Sequence, residues 1–486
     1  MTSNVDRVAL APDLSISRVL TGLWQIADME RDGRTLDPEA TARALAPYAE
    51  AGFTSFDMAD HYGSAEIVAG LFREQVGAAS DVQLFTKWVP KPGPLTRAHV
   101  RAAVERSLDR MRATTIDLLQ FHAWSYADPS WLDGLFYLQE LKGEGMIRHL
   151  GLTNVDSAHL NMVMASGIPI VSNQVCFSLL DQRAAGALSD VCRTRGSKLL
   201  AYGTLAGGWL SDKWLGQPEP DWERTGTWSL MKYGRFMRAA GGWSALQRVL
   251  QAAAAVARRH GVSIANVASR YILEQPAVAG VIIGARPGER EHIADNLRLF
   301  TFSLTESDRE ELQAALATLI PIPGDCGDEY RKPPFLTASG DLSHHVQSFP
   351  APYEVKRGSD GRTFCLSGTP WERSAGYSRA VRRGARVQVS GTTATHRDRV
   401  IGGTDPAAQT HFVIDKIEGA LQSLGARLED VVRTRIFVPR IDDWPPVALA
   451  HGARFGHIQP ANTLVGARLV GDEYLVEIEA DAEAPD

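Results

Sequence analysis

The chain has 486 residues, of which 44% are hydrophobic and 22% charged, and a net charge of -6 at pH 7. That length exceeds one ordinary core and predicts more than one domain, while the acidic balance argues against nucleic acid or an anionic membrane as partner, since either needs a basic face. The cysteines, Cys176, Cys192, Cys326 and Cys365, are widely spaced without a paired metal-ligand pattern, and no apolar run approaches the ~18 residues of a membrane span, so a soluble cytoplasmic protein with reduced thiols and no metal is expected.

From the N-terminus, short apolar runs alternate with amphipathic helical patterns. Strand-like runs cover residues 18–25, 53–60, 82–88, 116–122, 147–154, 170–177, 198–205 and 278–285. Between them, residues 37–51, 96–111, 131–145 and 179–195 carry apolar positions at helical spacing. Asp37 followed by Pro38 opens the first of these helices, and Gly52, Gly145 and Gly196 stand just past others, where a left-handed residue ends a helix. Strands that alternate with helices pair in parallel through crossovers, and these units fit a (β/α)8 TIM barrel of ~250 residues or a little more, placed at residues 1–320. A doubly wound open sheet competes, but no Gly-x-Gly-x-x-Gly follows the first strand. Helical patterns at residues 291–299 and 306–319 close this half. Pro321, Pro323 and Gly324 then break the periodicity, and residues 321–344 read as a linker. Over residues 345–486, strands at 363–367, 386–390, 431–438, 463–469 and 474–479 surround helices at 407–424 and 445–455, which predicts a smaller α+β domain.

Chemistry in a barrel sits at the C-terminal ends of the strands. Asp57, Tyr62, Lys87 and His122 fall there, on neighbouring strands two to four, and together they form a candidate proton-transfer set. Trp24, Trp88 and Trp124 follow strands one, three and four, and five more tryptophans lie between residues 209 and 243. They predict an aromatic pocket, lidded by the segment 207–242 and suited to an apolar or aromatic small molecule.

The motifs around these residues resemble the aldo-keto reductase family over about residues 15–318. The matching stretches are Phe56-Asp57-Met58-Ala59-Asp60-His61-Tyr62-Gly63, Thr86-Lys87, Leu118-Leu119-Gln120-Phe121-His122, Gly151-Leu152-Thr153-Asn154, Ser172-Asn173-Gln174 and Ile282-Ile283-Gly284-Ala285-Arg286. The resemblance implies NADPH-dependent reduction of an aldehyde or ketone. Tyr62 would be the proton donor, Lys87 and Asp57 its tuning pair, and His122 the group that orients the carbonyl. Asn154 and Gln174 would hold the nicotinamide carboxamide and Tyr202 would stack on its ring. Leu205, Gly284, Arg286 and Asn296 would complete the cofactor contacts, with the forked donors of Arg286 on a 2′-phosphate. The residue types suit the chemistry: a phenol with a pKa of about 10 donates poorly near neutrality, and an adjacent ammonium makes it more acidic. Asp60 acquires no role beyond a structural hydrogen bond at the turn.

Residues 365–483 resemble the Rid (reactive intermediate deaminase, or YjgF) family through Gly376-Tyr377-Ser378, Val389-Ser390-Gly391-Thr392, Pro460-Ala461-Asn462 and Val476-Glu477-Ile478-Glu479. Family members that hydrolyse imines pair the substrate carboxylate with an arginine where this chain has Asn462, and an amide offers no charge-assisted fork. The implied cleft at Tyr377, Asn462 and Glu477 therefore suits another ligand or a neutral imine. The resemblance also implies assembly as a homo-trimer or a multiple of one. A carbonyl reductase is the leading expectation; the alternatives are an imine reductase or coupled imine hydrolysis and carbonyl reduction, and a redox-sensing regulatory subunit.

Overall fold

The computed structural model describes residues 5–30, 33–77, 80–225, 227–331, 346 and 348–485. Strands β3 (Val19–Gly22), β4 (Ser55–Asp57), β5 (Gln83–Trp88), β6 (Ile116–His122), β7 (Ile147–Thr153), β8 (Ile170–Cys176), β9 (Lys198–Tyr202) and β10 (Val278–Gly284) each lie within an expected run. They pair in parallel and close as β10-β3-β4-β5-β6-β7-β8-β9, the (β/α)8 barrel. Strand alternation sorts the side chains. On β5 the odd positions face inward, so Phe85 joins Leu20, Leu118, Leu200 and Ile282 in the inner layer, while Leu84 and Trp88 belong to the core between strands and helices. An antiparallel hairpin, β1 (Arg7–Ala11) and β2 (Leu14–Ser17), adds Leu10, Leu14 and Ile16 to the inner cluster and plugs the N-terminal mouth. Each such side chain contributes about 1.5–3 kcal/mol by leaving water.

The helical pattern at residues 37–51 is divided into Pro38–Arg43 and Ala46–Glu50. Pro47 is the cause, because its ring cannot sit inside a continuous turn above the carbonyl of Arg43. Part of the segment read as linker packs on the barrel: Ile322 and Cys326 are buried, and Asp328–Arg331 forms a short helix. The remainder of that segment, residues 332–344, lies outside the described residues.

The second unit is a sheet of order β11-β12-β13-β14-β19-β17-β18, formed by β11 (Glu354–Arg357), β12 (Thr363–Leu366), β13 (Ala380–Arg383), β14 (Arg386–Thr393), β17 (Val431–Val438), β18 (Ala461–Gly466) and β19 (Glu477–Glu483), with a small ribbon of β15 (Thr395–His396) and β16 (Arg399–Val400) beside it. Only β17 and β18 are parallel. The helices Pro406–Ser423 and Trp444–Phe455 pack together, burying Phe412, Val413, Ile417, Val447 and Phe455 in the core. The helix Pro406–Ser423 also rests on the barrel helix Ser157–Ala165. Partly buried polar contacts stitch the two units: Asp133 accepts from Arg397 at 2.9 Å and faces His396 Nε2 at 2.9 Å, and Asp405 accepts from Asn161 and Arg195, each at 2.9 Å. Among the described residues no helix is long and apolar enough to cross a membrane.

Candidate active site

Asp57 ends β4, and Lys87 and His122 stand at or near the ends of β5 and β6. Lys87 lies two residues beyond inward-facing Phe85 and His122 four beyond Leu118, so alternation turns both toward the barrel axis. Lys87 is 4% exposed. Its Nζ donates to Asp57 Oδ2 at 2.6 Å and to the Met58 carbonyl at 2.8 Å. Burial lowers the pKa of this ammonium, and the Asp57 carboxylate offsets part of that effect. The second carboxylate oxygen, Asp57 Oδ1, accepts from Gln120 Nε2 at 3.0 Å and Gln174 Nε2 at 2.7 Å, and Gln174 also donates to Gln120 Oε1 at 2.9 Å. Gly151 leaves the space for these amides: a Cβ there would lie 2.8 Å from Ser172 Oγ and 3.1 Å from Gln120 Cγ.

Tyr62 arrives on the turn after β4. Met58 and Asp60 keep that turn tied to β5 by donating to the carbonyls of Phe85 and Lys87 at 2.8 and 3.0 Å. Gly63 then turns with φ +52°, and Glu30 accepts from Ser64 N and Oγ at 2.9 and 2.7 Å. A Cβ on Gly63 would fall 2.0 Å from Glu30 Oε2, so the closure requires glycine. The Tyr62 ring meets Trp24 edge-on at 4.8 Å, and Lys87 Nζ lies 5.0 Å from its centroid. The His122 ring meets Trp124 at 4.4 Å and Tyr330 at 5.4 Å. Asp60 faces its neighbour His61 at 3.0 Å and accepts from Arg110 through its carbonyl at 2.9 Å, a structural pairing at the turn.

These groups open into a cavity of about 780 Å³ that is also lined by Trp24, Trp124, Asn154, Gln174, Tyr202, Leu205, Gly284, Arg286 and Asn296. Asn154 holds φ +57° at the end of β7, and its Oδ1 accepts from Tyr202 OH at 2.7 Å. Burial pushes the Tyr202 phenol well above its ordinary pKa, keeping it neutral. Arg286 pairs with Asp28 through one terminal nitrogen and lies 3.7 Å from Glu289 through the other, so both arms of its fork already face carboxylates.

One expected pocket residue does not face the cavity. Trp88 is adjacent in sequence to inward-facing Lys87, so the pleat turns it outward, where its ring packs 5.6 Å from Phe121 and 6.1 Å from His99. The tryptophans of segment 207–242 divide: Trp214 and Trp228 line the cavity, whereas Trp209 and Trp222 are buried, Trp209 against Trp243 at 5.7 Å. Sequence reasoning passed over Gln120, Lys232 and Tyr330. Gln120 is recoverable from its period-two offset to His122; the other two lie on the helix Trp228–Ala239 and on the connector after the barrel, where no motif marks them.

In the second unit Arg379 donates to Tyr377 OH at 3.3 Å, to the Gly391 carbonyl at 2.8 Å and to Thr392 Oγ1 at 2.8 Å. Glu477 packs on Gly391, whose missing Cβ would meet Glu477 Oε1 at 2.0 Å. Burial raises the pKa of the Glu477 carboxyl and Glu479 adds to the effect. Tyr377 and Glu477 thus share one cluster, while Asn462 is exposed and donates to Thr434 Oγ1 at 2.9 Å. Among the described residues no hydrogen bond joins Asn462 to the other two.

Known proteins match each half separately. Residues 370–484 match the family model described as endoribonuclease L-PSP, the YjgF group, and an uncharacterized protein of Streptomyces coelicolor is 37% identical over 117 residues, 24% of this chain and 87% of its own. The protein tas of Escherichia coli is 29% identical over 317 residues, covering 57% of this chain and 89% of its own. The chloroplastic pyridoxal reductase of Arabidopsis thaliana is 27% identical over 333 residues, 64% and 85% of the two chains. A glycerol dehydrogenase structure from Gluconobacter oxydans shares the fold, with a TM-score of 0.54 at 23% identity over 67% of this chain and 98% of its own. Residues 18–317 match the model of the aldo/keto reductase family, and the chain belongs to that family.

Proposed function

We propose that the protein is an NADPH-dependent reductase of an aldehyde or ketone, with Tyr62 as proton donor. The observation that carries this reading is the buried Lys87 ammonium, held 2.6 Å from Asp57 and 5.0 Å from the Tyr62 ring in the lining of one cavity. As negative charge grows on the carbonyl oxygen, the Tyr62 hydroxyl gives it a proton, and Lys87 stabilises the phenolate left behind. Asp57 keeps the lysine charged against its burial, and Gln120 and Gln174 keep Asp57 in place. His122, on the same wall, orients the carbonyl oxygen and stabilises the charge that develops there.

The donor set fits a nicotinamide dinucleotide. Gln174, which donates to Asp57, and the hydrogen-bonded pair Asn154 and Tyr202 line the same cavity as Tyr62 and Lys87, and Arg286, Arg290 and Lys213 add positive charge to its lining. When bound, the cofactor supplies the hydride, which no side chain can provide. The pyridoxal reductase relative is named for an aldehyde substrate, which supports a carbonyl as the reacting group.

For the C-terminal unit we infer assembly, as a homo-trimer or a multiple of one, together with ligand handling around Tyr377 and Glu477. Residues Val432 and Val465, 46% and 40% exposed on β17 and β18, support a further protein contact there. Carbonyl-dependent oxidation of NADPH, followed by the absorbance of the reduced nicotinamide over a panel of aldehydes, ketones and cyclic imines, tests the assignment. Turnover of imines alone would replace the carbonyl by C=N, and no turnover on any of them would favour a regulatory role.

A further inference from the structure

A second lysine-tyrosine pair faces the same cavity. Lys232, on the lid helix Trp228–Ala239, donates from Nζ to Tyr330 OH at 2.6 Å. Its ammonium lies 5.1 Å from the centroid of Tyr330, 5.5 Å from that of Tyr202 and 5.7 Å from that of Tyr233. Tyr330 is 8% exposed, and its ring meets His122 at 5.4 Å and Trp124 at 6.3 Å, while its hydroxyl is 3.3 Å from that of Tyr202.

Tyr330 is not part of the barrel proper. It comes from the short helix Asp328–Arg331, beyond the stretch that matches the reductase family. The connector is firmly seated. Arg183 donates to the Asp325 carbonyl at 2.8 Å and to Glu329 at 3.0 Å. Arg331 donates to the Asn154 carbonyl, and Gly327 passes so close that a Cβ would lie 2.0 Å from that same oxygen. The phenol is thereby fixed beside the group that orients the substrate.

We propose that Lys232 and Tyr330 bind an anionic substituent, a carboxylate, on the carbonyl substrate. This rests on the reductase reading and names its substrate class: an aromatic aldehyde or ketone that carries a carboxylate away from its reacting carbon. A carboxylate there accepts from the ammonium and from the Tyr330 hydroxyl, both in charge-assisted bonds, and the surrounding aromatic rings, by excluding water, strengthen that attraction. With the Tyr330 ring 5.4 Å from His122 and 5.1 Å from the ammonium, both partners of the pair lie close to the group that orients the carbonyl, so a compact aromatic carbonyl can carry its carboxylate to them. The aromatic walls at Trp124 and Tyr202 suit such a ring.

The test compares 4-carboxybenzaldehyde with 4-methylbenzaldehyde in the full-length protein. The native protein favours the carboxylated aldehyde in kcat/KM, and Lys232→Met and Tyr330→Phe each reduce that preference, the former by about 10-fold or more, through KM; Lys232→Arg retains it. Equal losses on the two aldehydes overturn the proposal, as does a Lys232→Met effect that falls on the KM for NADPH. Benzoate binding to the NADP+-loaded protein, read by tryptophan fluorescence, is independent of turnover. Saturable binding that Lys232→Met weakens supports the subsite even if no carbonyl is reduced, in which case only the reductase reading fails. Absence of benzoate binding to the native protein overturns the subsite.

Discussion

Replacing Asp57 by Asn removes the counter-charge of a lysine that has almost no access to water. In the native protein Lys87 Nζ has Asp57 Oδ2 at 2.6 Å and one carbonyl at 2.8 Å. The amide side chain still accepts a hydrogen bond but brings no charge, and an uncompensated buried charge costs about 3–5 kcal/mol. The retained acceptor places the expected loss near the lower end, about 3 kcal/mol. Burial already depresses the Lys87 pKa, so the variant sheds its proton at still lower pH. Where the folded pKa lies below the unfolded one, the unfolded chain binds more protons, and stability rises with pH through that interval. Asp57→Asn should therefore regain part of its lost stability as pH climbs from the lowered folded pKa toward ~10.4, the unfolded lysine value. Its kcat should collapse, because a neutral amine does not stabilise phenolate. The assays are denaturant unfolding at a series of pH values and the pH profile of kcat/KM. Native stability and an unmoved alkaline limb in the variant would refute the role given to the pair.

Other expectations concern the cofactor, the interface and the assembly. Arg286→Ala should raise the dissociation constant for NADPH by about 10-fold while changing that for NADH far less, since only NADPH has the 2′-phosphate; equal changes would remove Arg286 from that role. Burial opposes the charge on His159, but Asp156 at 2.7 Å and Asp415 of the second unit at 2.9 Å outweigh it and raise its pKa to about 9. This raised value means that its contribution is complete below about 6.5, the unfolded histidine value, and is lost as pH rises through about 9. Unfolding midpoints of the native protein should fall over that window, and those of His159→Gln should fall less; parallel curves would contradict it. Light scattering should report a trimer or a multiple of one, and a monomer would remove the assembly inferred from the C-terminal unit.

The barrel was legible because each strand is an apolar run closed by a polar residue or a turn, and Asp57, Lys87 and His122 were legible because they are those closing groups. The same rule misplaces Trp88: adjacency to Lys87 suggested the pocket, but the pleat sends neighbours to opposite faces. The strands β11 and β13 escaped notice because Glu354–Arg357 is exposed throughout and Ala380–Arg383 has only two apolar residues before its arginines, so neither shows apolar alternation. The short helix that carries Tyr330 had no periodic signal, since its place depends on Arg183 and the Asn154 carbonyl, contacts far away in sequence. Pro47 did announce the break in the helical pattern at residues 37–51, though the amphipathic spacing around it read as continuous.

The account stands on Tyr62 as proton donor, and Tyr62→Phe isolates it by removing one oxygen while leaving the ring against Trp24 and beneath Lys87. NADPH titration and single-turnover reduction of an aldehyde should be measured together on this variant. The account predicts nearly native NADPH affinity with the rate of reduction lowered by about 10²-fold or more. Reduction at the native rate would contradict it.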